Sequence, residues 1–153
     1  MRKLGIAADV SNLYHCVHHR YGKKVSYSKY MAFCRDIGTV MMARAYGASS
    51  NGEAKAFIHA LETVGFNTRF KQLKVFASGE RKADWDVGIT LDVVNTHSQY
   101  DTLLLGSADS DMAELVDWLS GRGVQTIVLA CGISHELKVS AFKAIEIPES
   151  LLE

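Results

Sequence analysis

Short apolar runs separated by amphipathic stretches organise this chain. Leu4-Gly5-Ile6-Ala7-Ala8, Leu103-Leu104-Leu105-Gly106 and Ile127-Val128-Leu129-Ala130 carry no polar residue. Runs of that length read as strands covered on both faces. The pattern predicts buried strands over residues 3–8, 102–106 and 124–130. Between them, apolar positions recur at helical spacing. Helices are expected over 12–20, 27–37 with Ser26 as N-cap, 53–64, 84–96, 111–121 and 135–141. Thr39 to Tyr46 suits either a helical extension or a second strand, and the strand is the reading adopted. Asn67 to Leu73 and residues 143–147 complete the strands, and Gly47 to Gly52 reads as a loop. Strands alternating with helices imply one α/β domain over residues 1–153, a mainly parallel sheet between helical layers.

Composition narrows the class. With 48% hydrophobic residues and one proline in 153, the chain suits a packed globule rather than a disordered one. No apolar stretch reaches bilayer length, and Met1-Arg2-Lys3 leads straight into a strand, so neither a membrane span nor a signal peptide is expected. Cys16, Cys34 and Cys131, odd in number and far apart, read as reduced thiols of a cytoplasmic protein. The net charge of zero conceals a polarity: residues 1–82 hold 14 Lys+Arg and 5 Asp+Glu, residues 83–153 hold 3 and 12. Such asymmetry suits a nucleic-acid partner, although two halves that neutralise each other would look the same.

The chemistry lies where apolar runs end. Asp9 closes the first run, with Asn12 three residues on, and Asp109 and Asp111 follow Gly106-Ser107-Ala108. Asp86 stands at the start of a predicted helix. Carboxyl ends of adjacent parallel strands form one crevice, and carboxylates gathered there repel unless a hard cation lies between them. A divalent-metal site follows, with Asp9 and Asp109 as leading ligands, Asp86 completing the cluster and Asp111 acting directly or through water. Each also has a plainer role: Asp9 as a turn residue, Asp86 at a helix N-terminus, Asp111 as an N-cap with Glu114 at capping-box spacing. Asp92, roughly 120° around the helix from Asp86, lies outside the first ligand set.

Other α/β chemistries fail on their motifs. No Gly-x-Gly-x-x-Gly follows the first strand, and Gly22-Lys23-Lys24 lacks the upstream glycine of a phosphate loop. Gly106-Ser107-Ala108 is no nucleophile elbow. Asp9-Val10-Ser11 has Leu13 where a metal-dependent adhesion motif needs a hydroxyl, and Asp109-Ser110-Asp111 comes too late for an aspartyl phosphatase. His15 with His18 or His19 has metal-ligand spacing but no second pair downstream, so surface or RNA-facing histidines are expected.

Three ordered segments resemble the NYN domains, a branch of the PIN-like nucleases. Ile6 to Asn12 is similar to their opening Asp-x-x-Asn motif, Lys82 to Asp92 to their central Lys-x-x-Asp-Val-x-Leu-x-x-Asp element, and Leu104 to Asp111 to their Ser-Gly-Asp-Ser-Asp element. Ala108 stands in place of a glycine, and one extra residue separates Lys82 from Asp86; neither change removes a carboxylate. The resemblance implies a three-layer PIN-like fold and a Mg²⁺- or Mn²⁺-dependent endoribonuclease, with Asp9, Asp86, Asp109 and Asp111 as catalytic metal ligands. Metal ions activate water and offset charge on a scissile phosphate, so the chemistry agrees. Asn12, Ser107, Lys71, Lys74, Arg81 and Lys82 are the expected RNA contacts, a solvated basic face being the alternative for the four cations. Trp85 reads as a base-stacking or, more simply, a helix-packing aromatic. RNA is the expected partner, with a homo-oligomer left open. A catalytically silent RNA- or protein-binding module, and a phosphatase of small metabolites, are the competing functions.

Overall fold

Every residue from Leu4 to Asp9 is buried, and this run forms most of the central strand β1 (Arg2–Asp9). The computed structural model describes residues 1–49, 54–72, 74–75, 81–82 and 84–153, with 74–75 and 81–82 described by backbone alone. The elements that follow are α1 (Val10–Tyr21), α2 (Tyr27–Ile37), β2 (Gly38–Ser49), α3 (Lys55–Val64) and β3 (Asn67–Gln72). Two short strands come next, β4 (Lys74–Val75) and β5 (Arg81–Lys82), then α4 (Asp86–Thr96), β6 (Thr102–Gly106) and α5 (Ala113–Ser120). The chain ends with β7 (Gln125–Ala130), α6 (His135–Ser140) and β8 (Lys143–Glu146).

Six strands form one sheet in the order β3-β2-β1-β6-β7-β8, with every neighbouring pair parallel. The α/β class and the parallel sheet are as expected, and Thr39 to Tyr46 is strand. The chain first moves outward from β1 to β2 and β3, then returns to place β6 on the other side of β1. That reversal makes the carboxyl ends of β1 and β6 the crevice in which open sheets bind ligands. Helices cover both faces, which is why β1, β6 and β7 carry buried residues at nearly every position.

Packing at the crevice is tight. Tyr30 of α2 is fully buried and donates to the carbonyl of Leu129 over 2.8 Å. A Cβ on Gly106 would lie 2.7 Å from that hydroxyl and 3.1 Å from Ala8 Cα, so only glycine lets β6 end so close to α2 and β1. Gly22 closes α1 at φ 62°, donating to the carbonyl of His18, a left-handed cap that suits glycine.

Several boundaries differ from expectation: β2 runs on through Gly47 to Ser49, where a loop was expected, and two helix starts shift through side-chain hydrogen bonds. The fourth helix begins at Asp86 rather than 84, because Asp84 Oδ1 accepts from the Asp86 N–H at 2.8 Å and turns the chain there. The segment 111–121 splits into a 3₁₀ turn, Ser110–Met112, and α5. Its cap is Asp109 rather than Asp111: Asp109 Oδ1 accepts from the Asp111 N–H. The antiparallel pair β4–β5, with Lys74 opposite Lys82, lacked a hydrophobic alternation to announce it.

The reading of three reduced thiols needs correction. Cys34 is a buried free thiol, but Cys16 and Cys131 form a disulfide across 115 residues of sequence. Residues so far apart give no spacing signal; they meet because α1 crosses toward the end of β7. Gly132, next to Cys131, lies against Cys16 and Arg20 of α1, and Arg20 pairs with Glu146 at the end of β8. The cysteine count therefore no longer speaks for a reducing compartment. Opening the bond frees a long loop in the unfolded chain, and reduction is expected to lower stability by about 2–4 kcal/mol. Urea midpoints with and without reductant, on the natural chain and on Cys16→Ser, measure this. A reductant-sensitive midpoint in Cys16→Ser, or an insensitive one in the natural chain, would contradict the pairing.

Candidate metal centre

Asp9 is both the last residue of β1 and the N-cap of α1, its Oδ1 accepting from the Asn12 N–H at 3.1 Å. On the neighbouring strand β6, Ala8 pairs with Gly106, so the chain reaching Ser107, Ala108 and Asp109 emerges beside Asp9. Asn12 Oδ1 accepts from the Ala108 N–H at 3.0 Å, and Ser134 N–H donates to the Ala108 carbonyl. The loop before Asp109 is thus held from two sides. Asp109 then caps the 3₁₀ turn, which projects Asp111 into the same space.

Asp86, Asp109 and Asp111 each bring one carboxylate oxygen to within 4.8 Å of the other two. Oxygens that share one cation at 2.0–2.6 Å lie no more than about 4–5 Å apart. Among the described residues this is the group with the ligand number and spacing for an ion, and its all-oxygen chemistry fits Mg²⁺ or Mn²⁺. Asp9 stands beside the trio rather than within it. Its carboxyl is buried, and burial raises its pKa from 3.8 to about 6, opposed by the Asn12 hydrogen bond and assisted by the charges of Asp84 and Asp109. Asp86 is raised further, to about 7, by burial first and then by Asp109, Asp84 and Asp9. Without a cation the centre stores like-charge repulsion and takes up protons near neutrality.

Asp84 is the acidic residue that the sequence reading passed over. Exposed, it shapes the first turn of α4 and adds its charge to both Asp9 and Asp86. The available signal was its place two residues before Asp86, the spacing at which an aspartate caps a helix. Asp92 faces elsewhere: its Oδ2 takes the Tyr46 hydroxyl at 3.0 Å, Arg69 Nε at 3.1 Å and Arg44 Nη1 at 3.4 Å.

The expected RNA contacts divide. Asn12 spends its carbonyl oxygen on Ala108, and Ser107 is fully buried, its hydroxyl accepting from the Asp109 N–H at 3.4 Å. Both therefore build the loop. Lys71 is exposed at the rim: its Nζ donates to the Asp84 carbonyl at 2.9 Å and sits 4.0 Å above the Trp85 ring. The Trp85 ring packs beside Tyr46, and its Nε1 donates to the Gly47 carbonyl at 2.8 Å, which is the helix-packing role. The side chains of Lys74, Arg81 and Lys82 lie outside the described residues. On α1, Tyr14 stacks on His18, and no histidine cluster with three ligand atoms occurs among the described residues. No described helix is long and apolar enough to cross a membrane.

Comparison with known proteins agrees with this geometry. The chain matches the NYN domain over residues 3–148. It is 30% identical over 109 residues to the low amplitude and bright protein LabA of Synechococcus elongatus, a match that covers 66% of this chain and 59% of LabA. The chain thus aligns with less than two thirds of that curated relative's length. A crystal structure of a Vibrio parahaemolyticus protein of unknown function superposes with a TM-score of 0.90 at 29% identity, covering 99% of this chain and 96% of the other. With three acidic side chains converging at the β1–β6 crevice of a six-stranded parallel sheet, the chain belongs to the NYN domain family, with its PIN-like nuclease fold.

Proposed function

We propose that this protein is a Mg²⁺- or Mn²⁺-dependent endoribonuclease. The observation that carries the reading is the Asp86–Asp109–Asp111 trio, with oxygens within 4.8 Å of one another at the switch point of the sheet. A domain that only bound RNA would gain nothing from carboxylates that repel both one another and phosphate. A divalent cation held there would supply an activated water and offset charge on the scissile phosphate. The chain's own contribution is placement. Asp109 and Asp111 are fixed by the capped turn, Asp86 by the first turn of α4, and the loop before Asp109 by Asn12 and Ser134. Asp9 and Asp84 add negative potential behind the trio and favour capture of a cation over an empty site. Lys71 places a positive charge at the rim beside Asp84, on the approach an incoming phosphate would take.

The deciding experiment incubates the purified chain with labelled single-stranded RNAs in Mg²⁺, Mn²⁺ or EDTA. Internal cleavage with either metal and none with EDTA supports the reading. Firm RNA binding without cleavage across varied RNAs and both metals would leave a binding module in its place. Release of phosphate from small phosphorylated metabolites with intact RNA would instead favour the phosphatase.

A further inference from the structure

The basic residues next to the metal centre do not scatter. β3 is an edge strand of the sheet, and its residues alternate: Phe70 turns toward Phe57 of α3, while Arg69 and Lys71 lie on the opposite face, alongside α4. Parallel register sets Arg69 beside Tyr46 and Lys71 beside Ala48 of β2, and Arg44 lies two residues before Tyr46 on that face. Trp85, just before α4, and Asp92 on α4 meet this surface. One carboxylate, Asp92, is shared by two guanidiniums at 3.4 and 3.1 Å. Lys71 pairs with no carboxylate among the described residues; it spends its ammonium on the Asp84 carbonyl and the Trp85 ring. Among the described residues the seam gathers Arg44 and Arg69 around the carboxylate of Asp92, with Lys71 beside Asp84 at the end that faces the metal centre.

The three cations differ in access. The Arg44 side chain is 21% exposed and serves as a tie between β2 and α4, whereas that of Arg69 is 44% exposed and Lys71 is open to solvent. Arg69 and Lys71 stand about 7 Å apart along the strand. Moving from Arg69 to Lys71 leads to Asp84, and two residues later to Asp86 of the metal centre. A row of accessible cations at the repeat of an extended chain, ending at a phosphate-cleaving centre, suits a polyanion better than a single small phosphate.

We infer that the seam between edge strand β3 and α4 is a backbone track for single-stranded RNA, with Arg69 and Lys71 contacting successive phosphates and directing the strand across the start of α4 to the metal centre. This rests on the nuclease reading for the direction of travel, though not for the binding itself. Asp92 tunes the track: by engaging both guanidiniums it lowers the charge offered to RNA, so its removal strengthens binding. An extended strand matches the row, because the phosphates of a rigid duplex follow a helical path and would not keep step with one strand of sheet.

The test measures binding of the whole chain to a fluorescent oligouridylate in EDTA, by anisotropy, over a range of KCl. Each phosphate contact to a single strand contributes about 0.7 to the slope of log affinity against log salt. Arg69→Gln and Lys71→Gln should each lower that slope by about 0.7 and weaken binding equally across RNA sequences. Arg44→Gln should lower the unfolding midpoint with the slope unchanged. Asp92→Asn should move the other way, with tighter binding and a steeper slope, a result that a purely structural ion pair would not produce. Unchanged slopes in both Arg69→Gln and Lys71→Gln would overturn the track, as would equal or tighter binding of a duplex of the same length. A natural chain that binds no RNA overturns it as well. Cleavage with Mn²⁺ is assayed in parallel: lower slopes without cleavage would remove the nuclease reading and keep the track, and cleavage with unchanged slopes would do the reverse.

Discussion

Asp109→Asn is expected to reduce Mn²⁺-dependent RNA cleavage by at least about a hundredfold while leaving the protein folded. The substitution isolates charge from structure. Asp109 Oδ1 accepts the Asp111 N–H that shapes the 3₁₀ turn, and the amide oxygen of asparagine accepts it equally. Asp111 therefore stays in place, and what disappears is one anionic ligand from a trio. The stabilisation of charge on the phosphate falls with it. The metal-free fold should gain rather than lose stability, because the charge of Asp109 is the largest influence after burial on the carboxyl of Asp86. Cleavage rates, Mn²⁺ titration and a thermal melt on one preparation check all three. Equal cleavage by the variant and the natural chain would point to a contaminant or to another site. Asp9→Asn keeps the Asn12 cap by the same logic, and its cleavage rate distinguishes a ligand from a residue that only caps α1.

The individual elements were more legible in the sequence than the contacts between them. The buried strands announced themselves because a strand covered on both faces excludes polar residues along its whole length, as Leu103 to Gly106 shows. Ser26 was identifiable as a cap because a serine before a helical pattern has one common use, and it accepts from the Lys29 N–H as expected. Asp109 and Asp111 posed a harder choice. Both are aspartates near a helix start, and capping-box spacing favoured Asp111, whereas the backbone after β6 presents its N–H to Asp109. No pattern encodes that preference, because it depends on where Asn12, 96 residues before Ala108 in sequence, pins the loop.

The same limit hid the disulfide and the basic seam. Cys16 and Cys131 belong to elements whose crossing depends on the path of α1 over the sheet, and Arg44 and Arg69 meet at Asp92 only through the register of β2 with β3 and the docking of α4. Periodicity reports which face of an element is buried, not which element covers it. The place of the candidate centre was legible for the opposite reason, although the trio that forms there has Asp86 and Asp111 with Asp109, and Asp9, expected as a leading ligand, stands beside it. Its carboxylates stand at strand and helix ends, and in a parallel sheet the carboxyl ends of neighbouring strands must share one edge whatever the packing details.

Asp86→Asn should uncouple the stability of the metal-free protein from pH near neutrality. The carboxyls of Asp86 and Asp9 are raised to about 7 and about 6, from an unfolded value of 3.8. Between those limits the folded chain holds protons that the unfolded chain releases, so stability falls as pH rises. The contribution is fully present below about pH 4, is lost progressively through pH 6 and 7, and stays constant above that. A bound cation reverses the preference, because it requires the deprotonated carboxylates. Metal should therefore raise the melting temperature more at pH 7.5 than at pH 5, and its uptake near pH 6 should release protons into a weakly buffered solution. In Asp86→Asn the metal-free decline between pH 6 and 7 should flatten, the melting temperature at pH 7.5 should rise, and Mn²⁺ should bind at least about tenfold more weakly. Subtracting the variant's melting profile from that of the natural chain removes the titration of every other group. Superimposable profiles would mean that Asp86 ionises as an ordinary surface carboxylate. The repulsion from which the metal centre was argued would then lose its principal member.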